Sequence, residues 1–309
     1  MTLYSIVVPV YNSEHTLETL YTRLCKVFDE ELKLPFELLL VDDGSRDNSW
    51  NVMKSLREKD DRVKLFQMAR NFGQHPALLC GFHYINGDFV ITMDDDLQHP
   101  PEEIPKMIRV MNERDDVDVI LARYENRKHN LIRRFGTWVS VTATTMMLNK
   151  DPDLEITSFR LMRRFIVDAI KDTTVNHPQI GNLLVANSNR IINVDVHHDA
   201  RAYGHSGYSF KSLVNTLLYD ITTHSAFPLI VIRNIGIVTF LFSLIMGIIT
   251  LIRYCLGSIT VPGWTTLILV LLASAGLTLL SIGILGEYMM HVLEESKKNP
   301  HYVIRQKDL

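Results

Sequence analysis

Two long charge-free stretches near the C-terminus constrain this chain more than anything else in it. No charged side chain lies between Arg233 and Arg253, and none between Arg253 and Glu287. Asn234 to Ile252 is 19 residues, which as a helix spans roughly 29 Å, the thickness of a bilayer's hydrocarbon core. Trp264 to Gly286 is longer still. Between them Tyr254 to Gly263 holds Gly257, Pro262 and Gly263, a turn composition. The pattern predicts a transmembrane hairpin within 229–290, with spans at about 234–252 and 264–286. Two core helices of a water-soluble domain would be expected to carry at least one charge over such lengths.

The flanks set the orientation. Lys211 and Arg233 precede the hairpin and Lys297, Lys298, Arg305 and Lys307 follow it, whereas the turn offers only Arg253. By the positive-inside rule both chain ends face the cytoplasm, and Arg253 snorkels to the far interface. Met1 to Val10 has no basic start and runs straight into SIVVPV, so no signal peptide is read there. The expectation is an inner-membrane, multi-pass protein with a cytoplasmic N-terminal domain (1–205) and a cytoplasmic tail (291–309). Between domain and hairpin, in 206–228, Phe210, Leu213, Val214, Leu217, Leu218 and Ile221 recur at helical spacing. They form either an interfacial helix lying on lipid or an ordinary helix packed on the domain.

Composition supports the division. The whole chain averages to a mean hydropathy of +0.06, yet residues 1–228 carry 26 basic and 31 acidic side chains, net −5, against +2 for the remainder. An acidic domain without a basic tract excludes nucleic acid as a partner. Three cysteines, Cys25, Cys80 and Cys255, with no CxxC spacing point to neither a zinc site nor a disulfide framework.

Within the domain, strand-like runs at 5–10, 37–41, 63–67, 89–93 and 117–121 alternate with helical patterns at 15–32, 48–59, 76–85 and 102–112. This alternation predicts an α/β fold with a mostly parallel sheet and helices on both faces. Ligands of such sheets lie at the carboxyl ends of the strands. There the sequence places Pro9-Val10-Tyr11-Asn12, Asp42-Asp43-Gly44-Ser45, Arg70 to His75 and Asp94-Asp95-Asp96-Leu97-Gln98. No GxGxxG or Walker A pattern follows any strand, which disfavours a dehydrogenase or a P-loop enzyme.

Three consecutive aspartates leaving a buried strand raise one another's pKa, and a divalent cation removes that cost. Strand alternation turns Asp94 and Asp96 the same way, and two carboxylates plus phosphate oxygens suit Mg²⁺ or Mn²⁺. A metal held there would act as a Lewis acid on a leaving diphosphate. A solvated acidic loop capping the next helix would account for one of the three. Asp42 can accept hydrogen bonds from a uracil imide or a ribose hydroxyl, although an acidic pair before Gly-Ser is also ordinary turn chemistry.

VPVYN, VDDGS, RNFGQH and DDDLQHPPE, in this order, resemble the inverting glycosyltransferases of family 2 with the GT-A nucleotide-sugar-binding fold, and most closely the polyisoprenyl-phosphate glycosyltransferases. The resemblance implies a nucleotide-sugar donor, UDP-linked, and an undecaprenyl or similar polyprenyl phosphate acceptor, with a product that serves envelope glycan or lipopolysaccharide modification. It places Pro9 and Tyr11 at the nucleobase and Asp42 at the nucleoside, with Asn12, Glu14, Asp43 and Asp95 completing the donor-binding set. It makes Asp94 and Asp96 the metal-binding pair, with Gln98 close to the diphosphate. It sets Arg123 near a phosphate, and Arg201, in RAYGHSGYS, on the lipid phosphate. Relatives have Glu straight after YN; here Ser13 stands there with Glu14 next, and either inherits the role. Asp95, where relatives more often have Ala, is expected to point away from the metal. Relatives assemble as tetramers, which implies a homo-oligomer.

A phosphomonoester acceptor agrees with the residues independently. It is already largely a dianion at neutral pH, so the reaction needs cations rather than a general base, and neither TED nor (Q/R)xxRW, the motifs of processive synthases, occurs. Arg123, Arg160 and Arg201 are the available phosphate clamps, with Arg160 equally readable as a surface arginine. His75, His197 and His198 read as structural, the last two also as a possible border of the acceptor site. A family 2 enzyme extending a lipid-diphosphate glycan, and a non-catalytic membrane adaptor, are the competing readings.

Overall fold

In the computed structural model, residues 2–124, 153–175, 178–197 and 300–309 are described, together with scattered positions between 252 and 296. The interfacial helix (206–228), the first span (about 234–252) and Arg201 fall outside the described residues, apart from Ile252.

Among the described residues, eight strands make one sheet in the order β7-β5-β6-β4-β1-β2-β3-β8. The strands are β1 (Tyr4–Val10), β2 (Phe36–Asp42), β3 (Val63–Met68), β4 (Phe89–Thr92), β5 (Val119–Tyr124), β6 (Arg160–Arg163), β7 (Ile191–Val196) and β8 (Ile304–Asp308). β1, β2, β3 and β4 pair in parallel, as do β5 and β7, while β6 and β8 pair antiparallel to their neighbours. The chain winds outward from β1 through β2 to β3, then returns to β4 on the other side of β1. That reversal opens a crevice at the carboxyl ends of β4, β1 and β2.

Every residue of β1 and β2 is buried, as expected of central strands covered on both faces. Successive side chains feed opposite layers. Ile6, Val8, Leu38 and Leu40 pack with Leu17, Leu20, Leu24, Met53 and Met107 from α1 (Leu17–Cys25), α2 (Ser49–Lys59) and α4 (Ile104–Glu113). Val7, Leu39 and Val41 pack with Leu79, Phe82, Ile166 and Leu184 from α3 (Gln74–Phe82), α5 (Arg164–Ile170) and α6 (Ile180–Asn187).

The five predicted strands and four predicted helices are present, with two differences of form. The helix expected over 15–32 runs from Leu17 and continues beyond Cys25 as a π-helical stretch, Lys26–Leu32, that ends on Lys33 at a left-handed φ of 54°. The strand expected from Val117 begins at Val119, because the Val117 N–H donates to Arg114 O in a turn. The residues after 300, expected to be a tail, include β8, which closes the β3 edge and places the chain's last residues on the sheet built by its first.

The described positions from 267 to 296 belong to a second unit and are helical. Many of their large apolar side chains are exposed, among them Leu267, Val270, Leu271, Ile282, Leu285 and Met289. Ser274, Thr278 and Ser281 turn their hydroxyls back onto carbonyls three or four residues earlier, which satisfies these groups without solvent. Among the described residues, no helix is long and apolar enough to cross a membrane.

α3 approaches β1 so closely that a Cβ on Gly81 would come within 2.4 Å of Val7 Cγ1. Gly81→Ala gains up to about 1 kcal/mol in helix propensity but overpacks the core by about 1–3 kcal/mol. Its expected outcome is a lower thermal unfolding midpoint, measured on the full-length chain.

Candidate active site

Four loops meet in the crevice, and hydrogen bonds between residues far apart in sequence hold them. Val10 pairs with Asp42 and Val7 with Thr92, so the residues following β1, β2 and β4 leave the sheet side by side. Asn12 bends the β1 loop through a left-handed φ of 54°, a conformation asparagine tolerates better than most residues. Its N–H donates to Ser45 Oγ (3.0 Å) and its Oδ1 accepts from the Arg46 N–H (2.8 Å). Tyr11 is left 44% exposed on the crevice, available to stack on a planar base.

The two aspartates ending β2 have separate duties. Asp42 is fully buried, with Oδ1 accepting from the Ser45 N–H at 2.9 Å and Oδ2 from Gln67 Nε2 at 3.3 Å. Asp43 accepts from the N–H groups of Phe72 (2.7 Å) and Gly73 (2.8 Å), and so anchors the loop after β3. Burial raises its pKa; the two N–H donors oppose that shift and the neighbouring Asp42 charge adds to it. Gly44 makes the anchorage possible. It sits at φ 72°, and a Cβ there would lie 2.8 Å from the backbone of Arg70 and Asn71. The Arg70 guanidinium lies over the Phe72 ring, 4.6 Å from its centroid.

The acidic run after β4 splits in two directions. Asp95 turns back toward β1, where its Oδ2 accepts from Ser13 Oγ (2.5 Å) and the Tyr11 N–H (3.0 Å). Burial pushes its pKa up to about 6; those two donors counter part of the shift, and the charges of Asp94 and Asp96 increase it. Asp94 Oδ1 accepts from Gln74 Nε2 (2.5 Å) and Oδ2 from Ser158 Oγ (2.8 Å). The backbone N–H of Asp94 donates to Nδ1 of His99, whose ring is stacked between Tyr124 and Phe159. Asp96 Oδ1 accepts from the Gln98 N–H at 3.1 Å, across a turn that holds Leu97 at φ 62°. A left-handed φ is costly for a residue of this bulk; burial of the Leu97 side chain in the core holds the turn in place.

The donor set fits a hard divalent cation. Asp94 and Asp96, two residues apart in the loop after β4, offer carboxylate oxygens of the kind such a cation takes, and phosphate oxygens complete such sites. Among the described residues, no group of three His, Cys, Asp or Glu side chains is arranged to hold a metal ion alone.

Glu14 and Arg123 have their partners outside this group, and Arg160 is buried. Glu14 faces α2, its Oε2 accepting from the Asn48 N–H (2.9 Å), so Ser13 rather than Glu14 meets the acidic loop. Arg123 makes a two-pronged pair with Asp195 on β7, at 2.5 and 3.1 Å, which raises the pKa of the arginine and lowers that of the aspartate. Arg160, read from sequence as a phosphate clamp or a surface arginine, is not at the surface. It is 3% exposed at the start of β6, where burial lowers its pKa to about 10. Sequence reasoning missed Ser158 and Gln74 as partners of Asp94; RNFGQH marked the loop that carries Gln74 but not its target.

Comparison with known proteins follows the same lines. The sequence profile of glycosyl transferase family 2 matches residues 5–171. The undecaprenyl-phosphate 4-deoxy-4-formamido-L-arabinose transferase of Proteus mirabilis is 33% identical over 306 residues, covering 98% of this chain and 93% of that protein. An uncharacterised glycosyltransferase of Bacillus subtilis is 31% identical with the same coverage. Among solved structures, glucosyl-3-phosphoglycerate synthase from Mycobacterium tuberculosis, in complex with Mn²⁺, UDP and glucosyl-3-phosphoglycerate, superposes with a TM-score of 0.52 at 15% identity, over 72% of this chain and 78% of that one. Mannosyl-3-phosphoglycerate synthase from Rubrobacter xylanophilus gives 0.51 at 16%, over 71% and 73%. At those identities the likeness shows the fold, a GT-A-like α/β domain with a mostly parallel sheet.

His75, in the first turn of α3, has its pKa lowered to about 4 by burial and by the nearby Arg160 charge. Between pH 6.5 and 4 the unfolded chain therefore binds the proton and the folded chain does not, so this histidine removes stability as pH falls through that window. Relative to His75→Phe, the wild type is expected to lose up to about 3 kcal/mol between pH 6.5 and 4. Thermal unfolding of both proteins across that range would show a constant gap if the assignment is wrong.

Proposed function

The chain belongs to glycosyl transferase family 2 and is a glycosyltransferase, and we propose that it moves one sugar, with inversion, from a UDP-linked donor to undecaprenyl or a similar polyprenyl phosphate at the cytoplasmic face of the bacterial inner membrane. The observation that carries this reading is the joining of the acidic loop after β4 to the loops of Tyr11 and Asp42 by hydrogen bonds through Asp95 and Asn12, in a chain that aligns along 98% of its length with relatives named for transfer to undecaprenyl phosphate.

The residues divide the work as follows. Tyr11 and the Asp42 loop receive the nucleoside, and Asp94 and Asp96 would hold Mg²⁺ or Mn²⁺ against the donor diphosphate. Such an ion supplies Lewis-acid stabilisation of the leaving nucleoside diphosphate. The acceptor phosphate is already ionised and attacks the anomeric carbon without a base. Arg123 meets it by exchanging its Asp195 partner for phosphate oxygens, and Arg201 contacts it from the segment before the hairpin. Gln98, held beside Asp96, lies on the diphosphate side.

Membrane attachment has its own support. Residues up to 197 and from 304 to 308 build one sheet, so the chain between them crosses a membrane an even number of times or not at all. Two apolar stretches, both free of charge, match a hairpin. The exposed apolar side chains at the described positions from 267 to 293 suit a lipid environment. The product, a sugar on a lipid monophosphate, would serve envelope glycan or lipopolysaccharide modification, with a homo-oligomer as the working assembly.

Purified full-length protein with Mg²⁺ or Mn²⁺, a panel of nucleotide sugars and a polyprenyl monophosphate tests the reading. The expected product is an acid-labile lipid-monophosphate sugar, with kcat reduced by at least about 100-fold in Asp96→Asn and KM for the lipid phosphate raised about 10-fold in Arg201→Ala. Transfer only to lipid-diphosphate-linked sugars, or full activity of Asp96→Asn, would overturn it.

A further inference from the structure

Two buried polar atoms have no hydrogen-bond partner among the described residues, Nη1 of Arg160 and Nδ1 of His75; Gln74, next to His75, and Ser158, two residues before Arg160, both donate to the Asp94 carboxylate. Arg160 pairs with Thr92 across β4 and β6, and its Nε donates to Thr157 O at 2.5 Å. That bond fixes the guanidinium but leaves Nη1 unmatched. No carboxylate among the described residues forms a salt bridge with it, although Asp94 is close enough for the two charges to interact. The imidazole of His75 lies close enough to feel the same guanidinium and is neutral at pH 7. Burying a cationic donor and an imidazole nitrogen without partners is costly, and a ligand group that reached both would remove that cost.

The topology says which part of a ligand arrives there. In the order β6-β4-β1-β2, the nucleoside side of the crevice, Tyr11 and Asp42, lies over β1 and β2, and the acidic run lies at β4. A nucleotide sugar laid along this edge with its diphosphate at Asp94 and Asp96 carries its sugar onward over β4 and β6, toward Arg160. The polarity says what it presents. Beside a cation, a neutral imidazole is favoured with its lone pair toward the charge. The pair then offers one strong donor and one acceptor. A hydroxyl or an amide satisfies both, because it accepts from the guanidinium and donates to the ring; a phosphate oxygen accepts only.

We propose that Arg160 and His75 form a donor–acceptor pair that reads one hydroxyl or amide substituent of the transferred sugar, and so set donor specificity. This rests on the reading of the chain as a nucleotide-sugar-dependent transferase. A sugar lacking the substituent leaves both buried groups unmatched, the situation in which enzymes discriminate most strongly.

The test measures kcat/KM of the full-length protein for its accepted nucleotide sugar and for analogues deoxygenated or de-amidated at one ring position at a time. In the wild type, one analogue is expected to be disfavoured by about 10²–10⁴-fold. In Arg160→Met and in His75→Phe that ratio should shrink at least about 10-fold, while affinity for UDP stays within about twofold of wild type. His75 is only partly buried, so His75→Phe keeps the test available if Arg160→Met does not fold. Comparing hydroxyl and amide donors at the discriminated position identifies which group is read. An unchanged ratio in His75→Phe, with UDP binding intact, overturns the pair. Absence of transfer from every nucleotide sugar by the wild type would instead overturn the reading on which it rests.

Discussion

Five carboxylates, Asp42, Asp43, Asp94, Asp95 and Asp96, leave the sheet at the ends of two strands that flank β1, and the rest of the crevice is arranged around keeping them there. Like charges gathered this closely destabilise the fold unless each finds a counterpart. Three are turned into structure. Asp42 caps its own turn through the Ser45 N–H, Asp43 takes two N–H groups of the loop after β3, and Asp95 takes Ser13 and Tyr11 of the loop after β1. The Asp43 and Asp95 bonds tie neighbouring loops to the acidic core, so these charges also assemble the site.

Asp94 and Asp96 remain at the lip, and their supports are of a different kind. Gln74 and Ser158 hold the Asp94 carboxylate from two elements, while His99 holds its backbone. Leu97 keeps the turn to Asp96 by burial of its own side chain. The return of the chain to the sheet at β8 tethers the intervening segment at both ends to the domain that holds these carboxylates.

Much of this was legible in the sequence for physical reasons. β1 and β2 are continuous apolar runs because both faces are covered, and polar residues at four consecutive strand ends pointed to the crevice. β6 was not legible: RLMR is four residues long and begins and ends in arginine, and nothing local announces that Arg160 is buried against Gly181 of α6 and the loop that carries Thr157. β8 was missed because IRQKD is an edge strand whose exposed charged side chains resemble a solvated tail. The Ser13–Asp95 and Gln74–Asp94 bonds join residues 82 and 20 positions apart, and motifs name such residues without showing which partner each takes. β4 ends at Thr92, before the acidic run, so strand alternation does not set how Asp95 faces; the Tyr11 N–H and Ser13 Oγ of the loop after β1 do.

The central claim is that Asp94 and Asp96 act on a nucleoside diphosphate through a divalent cation. Calorimetric titration of the full-length protein with UDP, in Mn²⁺ and again in excess chelator, tests it most directly. The account predicts affinity at least about 10-fold tighter with the metal, with the difference abolished in Asp96→Asn. Equal affinity in both conditions, or a metal effect that survives in Asp96→Asn, would contradict it.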